Sequence, residues 1–491
     1  MGPVDTVSGN SDMTETVSTA WWESKLARRL DYLAVLAAMV IVCRLALEED
    51  LSWTVLVMLG IPVVLLTLTR WPYGALSVLI GMSAMPRFFV EIFGWKARPE
   101  HFAAAIVSVV VCYHILRRKT QIRIEKLDYW ILGYVVINYI SSAFGSSEPS
   151  ATLRWALQNN LVVLPYFLIR LLVRDLETLQ KAFRILLVVG LVEAVYGILC
   201  FASNQAFGTT TGMEVAAYLV DVAAPYGSLY EPNLFGAYTG CCAVLFLALY
   251  VGDRRRLGNL ACFLLALLAT VLSYSRAALL SLIVAVCFVF WKARPARNDR
   301  YRKLSTLVLP VALILFVAVS ALRGVVQERF SDLYNQGLAE TTTISRLIEI
   351  QAALQDVPSH PWFGTGTASF QLSFDWGRLV PDWGGKPTWV GNITVRILHD
   401  AGVLGLATLI GFSISLWRKM RQVLHAETSQ MSMLLGLSAG ALLYAISFQA
   451  TDGTLLAFTW VHLGFLASAA VLINGSKQSA GDTSSAVQPS I

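Results

Sequence analysis

Long apolar runs constrain the fold of this chain more than any other feature of its sequence. The runs are long enough for helices that cross a bilayer, and they lack the alternation of apolar and polar residues that marks β-strands. Hydrophobic residues make up 56% of the 491 residues and charged residues only 14%, as expected of a chain embedded largely in lipid. The sequence therefore predicts an all-α fold, a polytopic bundle of transmembrane helices.

The runs predict about 12 to 14 transmembrane helices, each near the length that a bilayer core requires. The lower number applies if the short runs that begin at residues 160 and 276 do not form separate spans. The predicted spans cover residues 32–47, 51–69, 73–93, 102–116, 128–145, 160–173, 182–203, 234–251, 258–273, 276–291, 304–322, 392–417, 431–449 and 453–473.

Basic residues give the predicted orientation of the bundle. They cluster in alternate connections, and such clusters mark the cytoplasmic side of a membrane protein. Both termini are therefore expected in the cytoplasm, and the same anchors account for the net charge of +6 without any role for nucleic acid. The clusters lie at Arg28 and Arg29, from Arg117 to Lys126, from Arg254 to Arg256, from Lys292 to Lys303 and from Arg418 to Arg421.

The same patterns predict how the chain is divided. The large external loop is expected to contain short helices, one of them near residues 342–356, where Arg346 shares an amphipathic pattern with Ile344, Leu347, Ile350 and Leu354. Residues 1–20 have no apolar core, so the first span is expected to act as its own targeting signal. The predicted segments are a disordered cytoplasmic tail (1–30), a transmembrane bundle (31–322), the external loop (323–391), C-terminal transmembrane helices (392–474) and a disordered tail (475–491).

Cysteine and histidine positions give no sign of a disulfide framework or a metal site. All seven cysteines lie inside predicted spans, where they behave as small apolar residues. No spacing typical of metal ligands occurs among the cysteines and histidines. We therefore expect chemistry that uses neither a metal nor a cofactor.

Several short polar motifs fall on the predicted outer face. They are Glu231-Pro232-Asn233 before one span, Ser275-Arg276 at a tight helical hairpin, Ser345-Arg346 in the large loop, His360-Pro361-Trp362-Phe363-Gly364-Thr365-Gly366 further along it, and Gly391-Asn392, followed after nine residues by Gly402-Val403-Leu404-Gly405. This ordered series resembles the O-antigen ligase and O-antigen polymerase superfamily, whose members are membrane glycosyltransferases. The resemblance covers roughly residues 180–420 and rests on the order of the motifs.

The resemblance implies a function and a location. It implies an enzyme of the bacterial inner membrane that transfers or polymerises glycans from a polyprenyl-pyrophosphate carrier, in O-antigen, capsule or exopolysaccharide biosynthesis. Its partners would be the lipid-linked oligosaccharide donor, a glycan or lipid acceptor, and membrane lipid. Arg276 and Arg346 would bind the pyrophosphate, because a guanidinium is permanently charged and its fork of donors suits phosphate oxygens. Arg154 and Arg396 are further outer arginines, with structural roles expected.

The chain departs from the family pattern at one position, where the family residue acts on the acceptor hydroxyl. The ligases carry a histidine before the asparagine, whereas this chain has Gly391. Glu231 is the first candidate to act as a base or to orient the acceptor, and His399 is the second, two turns or about 10 Å deeper along a regular helix. A buried histidine with satisfied hydrogen bonds is the alternative for His399, and a turn-forming role is the alternative for His360. Asn233, Ser275, Asn392 and His360 are expected to support the site.

A second class of function is a transporter or flippase of lipid-linked oligosaccharides. Such proteins use midplane sites, broken helices and usually an internal repeat, and no repeat is visible here. Arg87 and Glu91 could line such a path, but their spacing within the predicted span 73–93 favours an ion pair on one helix face. The enzyme is favoured, and Gly391 favours a capsule or exopolysaccharide polymerase over a ligase.

Overall fold

The computed structural model describes residues 70–92, 95–117, 124–215, 223–253, 256–293, 341–375, 377, 389–424 and 430–485. All of them belong to one compact unit, residues 63–491. The predicted spans 32–47, 51–69 and 304–322 lie outside the described residues. Both predicted tails also lie outside them, apart from residues 475–485.

Helices dominate the described part of the chain, where thirteen α-helices occur. In chain order they are α1 (Tyr73–Ser83), α2 (Pro99–Leu116), α3 (Asp128–Phe144), α4 (Pro149–Leu172), α5 (Leu176–Phe207), α6 (Pro232–Gly252), α7 (Leu257–Leu272), α8 (Arg276–Lys292), α9 (Thr341–Asp356), α10 (Phe370–Ser373), α11 (Ile393–Leu424), α12 (Met431–Ser447) and α13 (Ala457–Ser485). A 3-10 turn, Val357–Ser359, follows α9.

Two short antiparallel hairpins accompany the helices. Strands β1 (Val90–Ile92) and β2 (Trp95–Ala97) pair with Glu91 opposite Lys96. Strands β3 (Met213–Val215) and β4 (Ala223–Pro225) pair with Glu214 opposite Ala224. Both hairpins lie between helices, and the second one leads into the start of α6.

Five of the helices, α2, α5, α6, α11 and α13, are long and apolar enough to cross a membrane, and α1, α7 and α12 are shorter apolar helices. Helix α6 is the central one, because 94% of its most apolar window is buried inside the protein. Small residues let its neighbours approach closely: Gly240 of α6 faces Leu443 of α12 and Thr270 of α7. The fold is a helical membrane bundle, as the sequence predicts.

The structure corrects the prediction for residues 73–93. Helix α1 ends at Ser83, shortly before Pro86, because proline disfavours the helical conformation of the residue that precedes it. The expected helical ion pair between Arg87 and Glu91 is therefore wrong. Glu91 lies in β1, and Arg87 stacks on the ring of Tyr226 with 3.7 Å between its guanidinium carbon and the ring centroid.

Two further helices are longer than predicted. Helix α4 begins at Pro149, so most of the connection expected at 146–159 is helical. Proline is favoured in the first turn of a helix, where its missing N–H is not needed. Helix α13 continues to Ser485, into the segment 475–491 that was expected to be disordered, and no proline interrupts it.

Candidate functional site

The loop at residues 448–455, between α12 and α13, holds together the start of α11 and the end of β2. The carbonyl oxygen of Phe448 accepts a hydrogen bond from the Ile393 amide at 2.9 Å. The carbonyl oxygen of Gln449 accepts one from the Asn392 side chain at 2.9 Å, and that of Leu455 accepts one from the Arg98 guanidinium at 3.0 Å. This loop is the hub of the polar cluster at one end of the bundle.

Asn392 caps helix α11. Its side-chain oxygen accepts a hydrogen bond from the Val395 amide at 3.0 Å, which satisfies a donor that a helix start leaves unpaired. Its side-chain nitrogen at the same time binds the hub loop. Asn392 therefore positions the residue before it, Gly391, against the loop.

Gly391 faces two charged side chains of α9. A Cβ atom at this position would lie 4.0 Å from Cγ of Arg346, 4.0 Å from Oε2 of Glu349 and 3.7 Å from the carbonyl oxygen of Ala450. These are ordinary van der Waals distances. Neither backbone conformation nor crowding requires glycine here, and Gly391 marks the place where the segment before α11, helix α9 and the hub loop meet.

Glu231 lies on the other side of the same loop. It precedes Pro232, the first residue of α6, and its carboxylate accepts a hydrogen bond from the Thr451 hydroxyl. Thr451 directly follows Ala450, whose carbonyl faces Gly391. The half-buried Glu231 carboxylate and Gly391 thus flank one short stretch of backbone. Asn233, in the first turn of α6, is also half-buried.

A buried carboxylate holds the turn that presents Glu231. Glu193 of α5 accepts hydrogen bonds from the Ser228 amide at 2.8 Å and the Ser228 hydroxyl at 2.6 Å, and it is only 1% exposed. Gly227 has a φ of +60°, and a side chain there would collide with the Glu193 carboxylate. The backbone turn that leads to Glu231 is therefore held in place from within the bundle.

A second carboxylate and an arginine lie near Glu231. Burial raises the pKa of Glu214 in β3, the negative charge of Glu231 raises it further, and Arg87 lowers it. Arg87 is oriented by its stacking on Tyr226 and by a hydrogen bond from its guanidinium to the Tyr230 carbonyl at 3.2 Å. Glu214 and Arg87 were not among the predicted site residues, because β3 and the segment between α1 and β1 are distant from each other in sequence.

Helix α9 lies along the start of α11. Glu349 is near Gly391, Ala353 packs in a cluster with Val390 and Phe370, and Asp356 approaches His399. Glu349 meets Gly391, just before α11, and Asp356 meets His399 two turns later, so α9 and the first turns of α11 run in the same direction. Arg346 is half-buried on this inner side, whereas Ile344, Leu347 and Leu354 are exposed. The helix predicted near 342–356 is confirmed.

His399 is enclosed by acidic groups. Its Nδ1 lies 2.9 Å from Oδ1 of Asp400, its Nε2 lies 3.5 Å from Oδ2 of Asp356, and the residue is 1% exposed. The ring edge also contacts Phe370, with 5.6 Å between ring centroids. Both ring nitrogens thus face carboxylates, which agrees with the alternative of a satisfied buried histidine.

The turn at residues 360–366 fills a kink in α11. The kink is at Gly402, with a φ of +65°, and it interrupts the backbone hydrogen bonds of the helix. The amides of Thr365 and Gly366 donate to the carbonyls of His399 and Asp400 at 2.9 and 3.1 Å. In return, the amides of Val403 and Leu404 donate to the carbonyls of Pro361 and Trp362 at 2.9 and 3.1 Å. The two glycine motifs are therefore one structural unit, which keeps backbone groups paired where lipid cannot pair them.

Arg396 is a structural arginine. It forms ion pairs with Asp452 of the hub loop and with Asp400 at 3.4 Å, and it donates to the Thr454 hydroxyl at 2.7 Å. The residue is 3% exposed. These contacts agree with the expected structural role.

Arg276 is the first residue of α8 and is exposed. Ser275 caps the helix by accepting a hydrogen bond from the Ala278 amide at 3.3 Å. The hairpin packs on α6 at Gly236, where a Cβ atom would lie 3.0 Å from Cβ of Ala278. Gly236 is five residues beyond Glu231, about 7.5 Å along a helix, so Arg276 emerges at the end of α6 that carries Glu231.

His360 does not join the cluster. It is exposed, and its Nδ1 lies 3.0 Å from the hydroxyl of the neighbouring Ser359. Its carbonyl accepts a hydrogen bond from the Gly364 amide at 2.9 Å, as a turn residue would. These contacts agree with the turn-forming alternative.

Comparison with known proteins identifies one match. The family model of the O-antigen ligase matches residues 261–410, a segment that contains Arg276, Arg346, Gly391 and the kink of α11. The comparison with curated proteins gave no match.

Proposed function

We propose that this chain transfers a glycan from a polyprenyl-pyrophosphate carrier to a hydroxyl group. The match of residues 261–410 to the family model of the O-antigen ligase supports this proposal. The acceptor is another glycan or a lipid, and the reaction takes place on the outer face of the bacterial inner membrane. The observation that carries this proposal is the juxtaposition of two charged groups on the hub loop: Arg346 approaches Gly391 beside the carbonyl of Ala450, and the next residue, Thr451, donates to the Glu231 carboxylate.

The arginines supply the charge that the leaving group requires. Attack of a hydroxyl oxygen on the anomeric carbon breaks the bond to the carrier and leaves negative charge on the pyrophosphate oxygens. Fixed guanidinium groups stabilise that charge, and they do so more strongly at a partly desolvated site than in water. Arg346 and Arg276 hold the pyrophosphate, whereas Arg396 is committed to Asp452 and Asp400.

The acceptor lies on the Glu231 side of the cluster. A carboxylate at the membrane edge can accept a hydrogen bond from a sugar hydroxyl, and it either orients the acceptor or removes its proton. Thr451 and the Glu193-supported turn hold this carboxylate in place. By family resemblance the configuration of the transferred sugar is inverted.

The product is a capsule or exopolysaccharide polymer. Support comes from Gly391, since an enzyme that lacks the ligase histidine departs from standard ligase chemistry.

Purified protein in detergent tests the proposal. It should consume a polyprenyl-pyrophosphate oligosaccharide and release the carrier pyrophosphate in EDTA, without ATP or nucleotide sugar, because the donor bond already supplies the energy. A flippase would leave the donor chemically unchanged under the same conditions. Intact donor after prolonged incubation with folded protein and acceptor would refute the enzyme and favour transport.

A further inference from the structure

The turn at residues 226–231 holds Arg87 in a fixed orientation. The backbone amide of Arg87 donates to the Ser228 carbonyl at 3.3 Å, and its guanidinium donates to the Tyr230 carbonyl at 3.2 Å. The guanidinium also lies on the ring of Tyr226, with 3.7 Å between its central carbon and the ring centroid. A stacked guanidinium is held in one plane and presents its N–H groups along the edge of that plane. The turn therefore sets the direction in which Arg87 offers hydrogen bonds.

Strand β3 brings Glu214 to the same turn. The carbonyl oxygen of Gly212, just before β3, accepts hydrogen bonds from the first two amides of the turn at 2.9 and 3.2 Å. Glu214 is two residues beyond Gly212 and is half-buried. Burial raises the pKa of Glu214, the negative charge of Glu231 at the end of the turn raises it further, and the positive charge of Arg87 lowers it. The three charged side chains are therefore close enough to act on one another.

The shape of the turn does not depend on the guanidinium of Arg87. Buried Glu193 accepts hydrogen bonds from the amide and the hydroxyl of Ser228, and the Gly212 carbonyl holds the start of the turn. Arg87 is exposed, and in the part of the chain that the structure describes its guanidinium donates a hydrogen bond to the Tyr230 carbonyl alone. A guanidinium has five N–H donors, so Arg87 can also donate to a ligand from outside the protein.

The charges at this turn indicate which kind of ligand fits. A sugar hydroxyl both donates and accepts hydrogen bonds, so neighbouring hydroxyls can accept from a guanidinium and donate to a carboxylate at the same time. Arg87 is accompanied by two carboxylates, Glu214 and Glu231, and this excess of negative charge disfavours a ligand that is itself an anion. A neutral sugar is therefore the ligand that suits all three side chains.

We propose that Arg87, Glu214 and Glu231 form a subsite for a neutral sugar with hydroxyl groups on neighbouring carbons, and that this sugar belongs to the acceptor glycan. The Arg87 guanidinium donates to one hydroxyl, and Glu214 accepts from the next. Glu231, at the end of the turn, orients the hydroxyl that reacts. This inference rests on the proposed function in naming the glycan an acceptor, whereas the subsite itself rests on the geometry of the turn.

Glycan binding to the full-length protein in lipid nanodiscs tests the subsite in the absence of a donor. The probes are fluorescent tetrasaccharides of glucose, galactose or mannose, and tetrasaccharides of the corresponding uronic acids. At least one neutral tetrasaccharide should bind, and more tightly than its uronic acid counterpart. Arg87→Ala and Glu214→Ala should each weaken that binding about 10-fold or more, because each removes a hydrogen bond that involves a charged group. Arg184→Ala, an exposed arginine of α5, is the matched control and should bind as the wild type does.

Two kinds of result would overturn the subsite. One is that no neutral tetrasaccharide binds, or that the uronic acid counterpart binds more tightly. The other is that binding persists in both variants, or that it is lost only in protein with a lowered melting temperature, which would give Arg87 and Glu214 a structural role. Donor consumption judges the proposed function separately: intact donor with wild-type protein would refute the transfer reaction, and the glycan-binding measurement would still decide the subsite.

Discussion

Gly402 and Trp362 are in direct backbone contact, and a Cβ atom on Gly402 would collide with the Trp362 carbonyl group. That carbonyl accepts the Leu404 amide and thus replaces a hydrogen bond that the kink removes from α11. Helix and turn are therefore mutually dependent, although forty residues separate them in the chain.

The first prediction concerns this contact. Gly402→Ala should destabilise the protein by about 2 kcal/mol or more, because its φ of +65° and ψ of −169° lie in a region that only glycine adopts readily. Thermal unfolding in detergent measures the loss. Gly258→Ala, at an exposed helical position with nothing within 4 Å of the added Cβ, is the control and should not lower the melting temperature. Equal melting temperatures for all three proteins would contradict the proposed role of the kink.

The second prediction concerns the pyrophosphate. Arg276→Lys keeps the charge but loses the planar fork, and Arg346→Ala removes both, so each should slow donor consumption about 10- to 100-fold. Membrane insertion and melting temperature should stay as in the wild type. Arg117→Lys, an exposed arginine at the end of α2, serves as control. Normal turnover in both site variants would remove the arginines from the mechanism.

The third prediction distinguishes the structural role of Arg396 from the pyrophosphate-binding role of Arg276 and Arg346. Arg396→Ala should lower stability by about 3 to 5 kcal/mol, because Asp452 and Asp400 would keep buried charges without their partner. The yield of monodisperse protein in size-exclusion chromatography reports the effect. Arg184→Ala, an exposed arginine of α5, is the control. A stable Arg396→Ala protein with weakened donor binding would instead identify Arg396 as a substrate ligand.

The fourth prediction concerns pH. Burial and the charge of Glu231 raise the pKa of Glu214, so the folded protein binds this proton more tightly than the unfolded chain. The contribution of Glu214 to the free energy of unfolding should therefore fall as pH rises from the ordinary glutamate pKa to the raised pKa. Glu214→Gln should flatten this part of the curve and raise the melting temperature at neutral pH. A decrease in stability with falling pH that Glu214→Gln abolishes would show the opposite shift.

The fifth prediction concerns sidedness. A cysteine at Gln355, exposed on α9, should react with an impermeant thiol reagent added outside, in a background whose native cysteines are replaced by serine. A cysteine at Gln422, near the end of α11, should react only after permeabilisation, because α11 is expected to cross the membrane. The reverse pattern would invert the bundle and place the cluster on the cytoplasmic side.

Local sequence located several of the described helices closely, because hydropathy is read over a window of neighbouring residues. The starts of α6, α7 and α8 differ from the predicted span starts by no more than two residues. The same reading failed at residues 84–92, where Pro86 ends a run that is still apolar. A hydropathy average is little changed by one proline, whereas that proline is enough to end the helix.

The sequence by itself determined the fold class and the resemblance to the O-antigen ligase and polymerase superfamily, since hydropathy and short motifs are both read along the linear chain. Only the tertiary structure decided that Glu349 faces Gly391, that Thr451 holds Glu231, and that Arg396 is enclosed by two aspartates. Apart from Arg396 and Asp400, which are four residues apart on α11, these pairings join residues far apart in sequence. Helical periodicity states which residues share a face of one helix, but the face that meets a partner is set by the packing of the whole bundle.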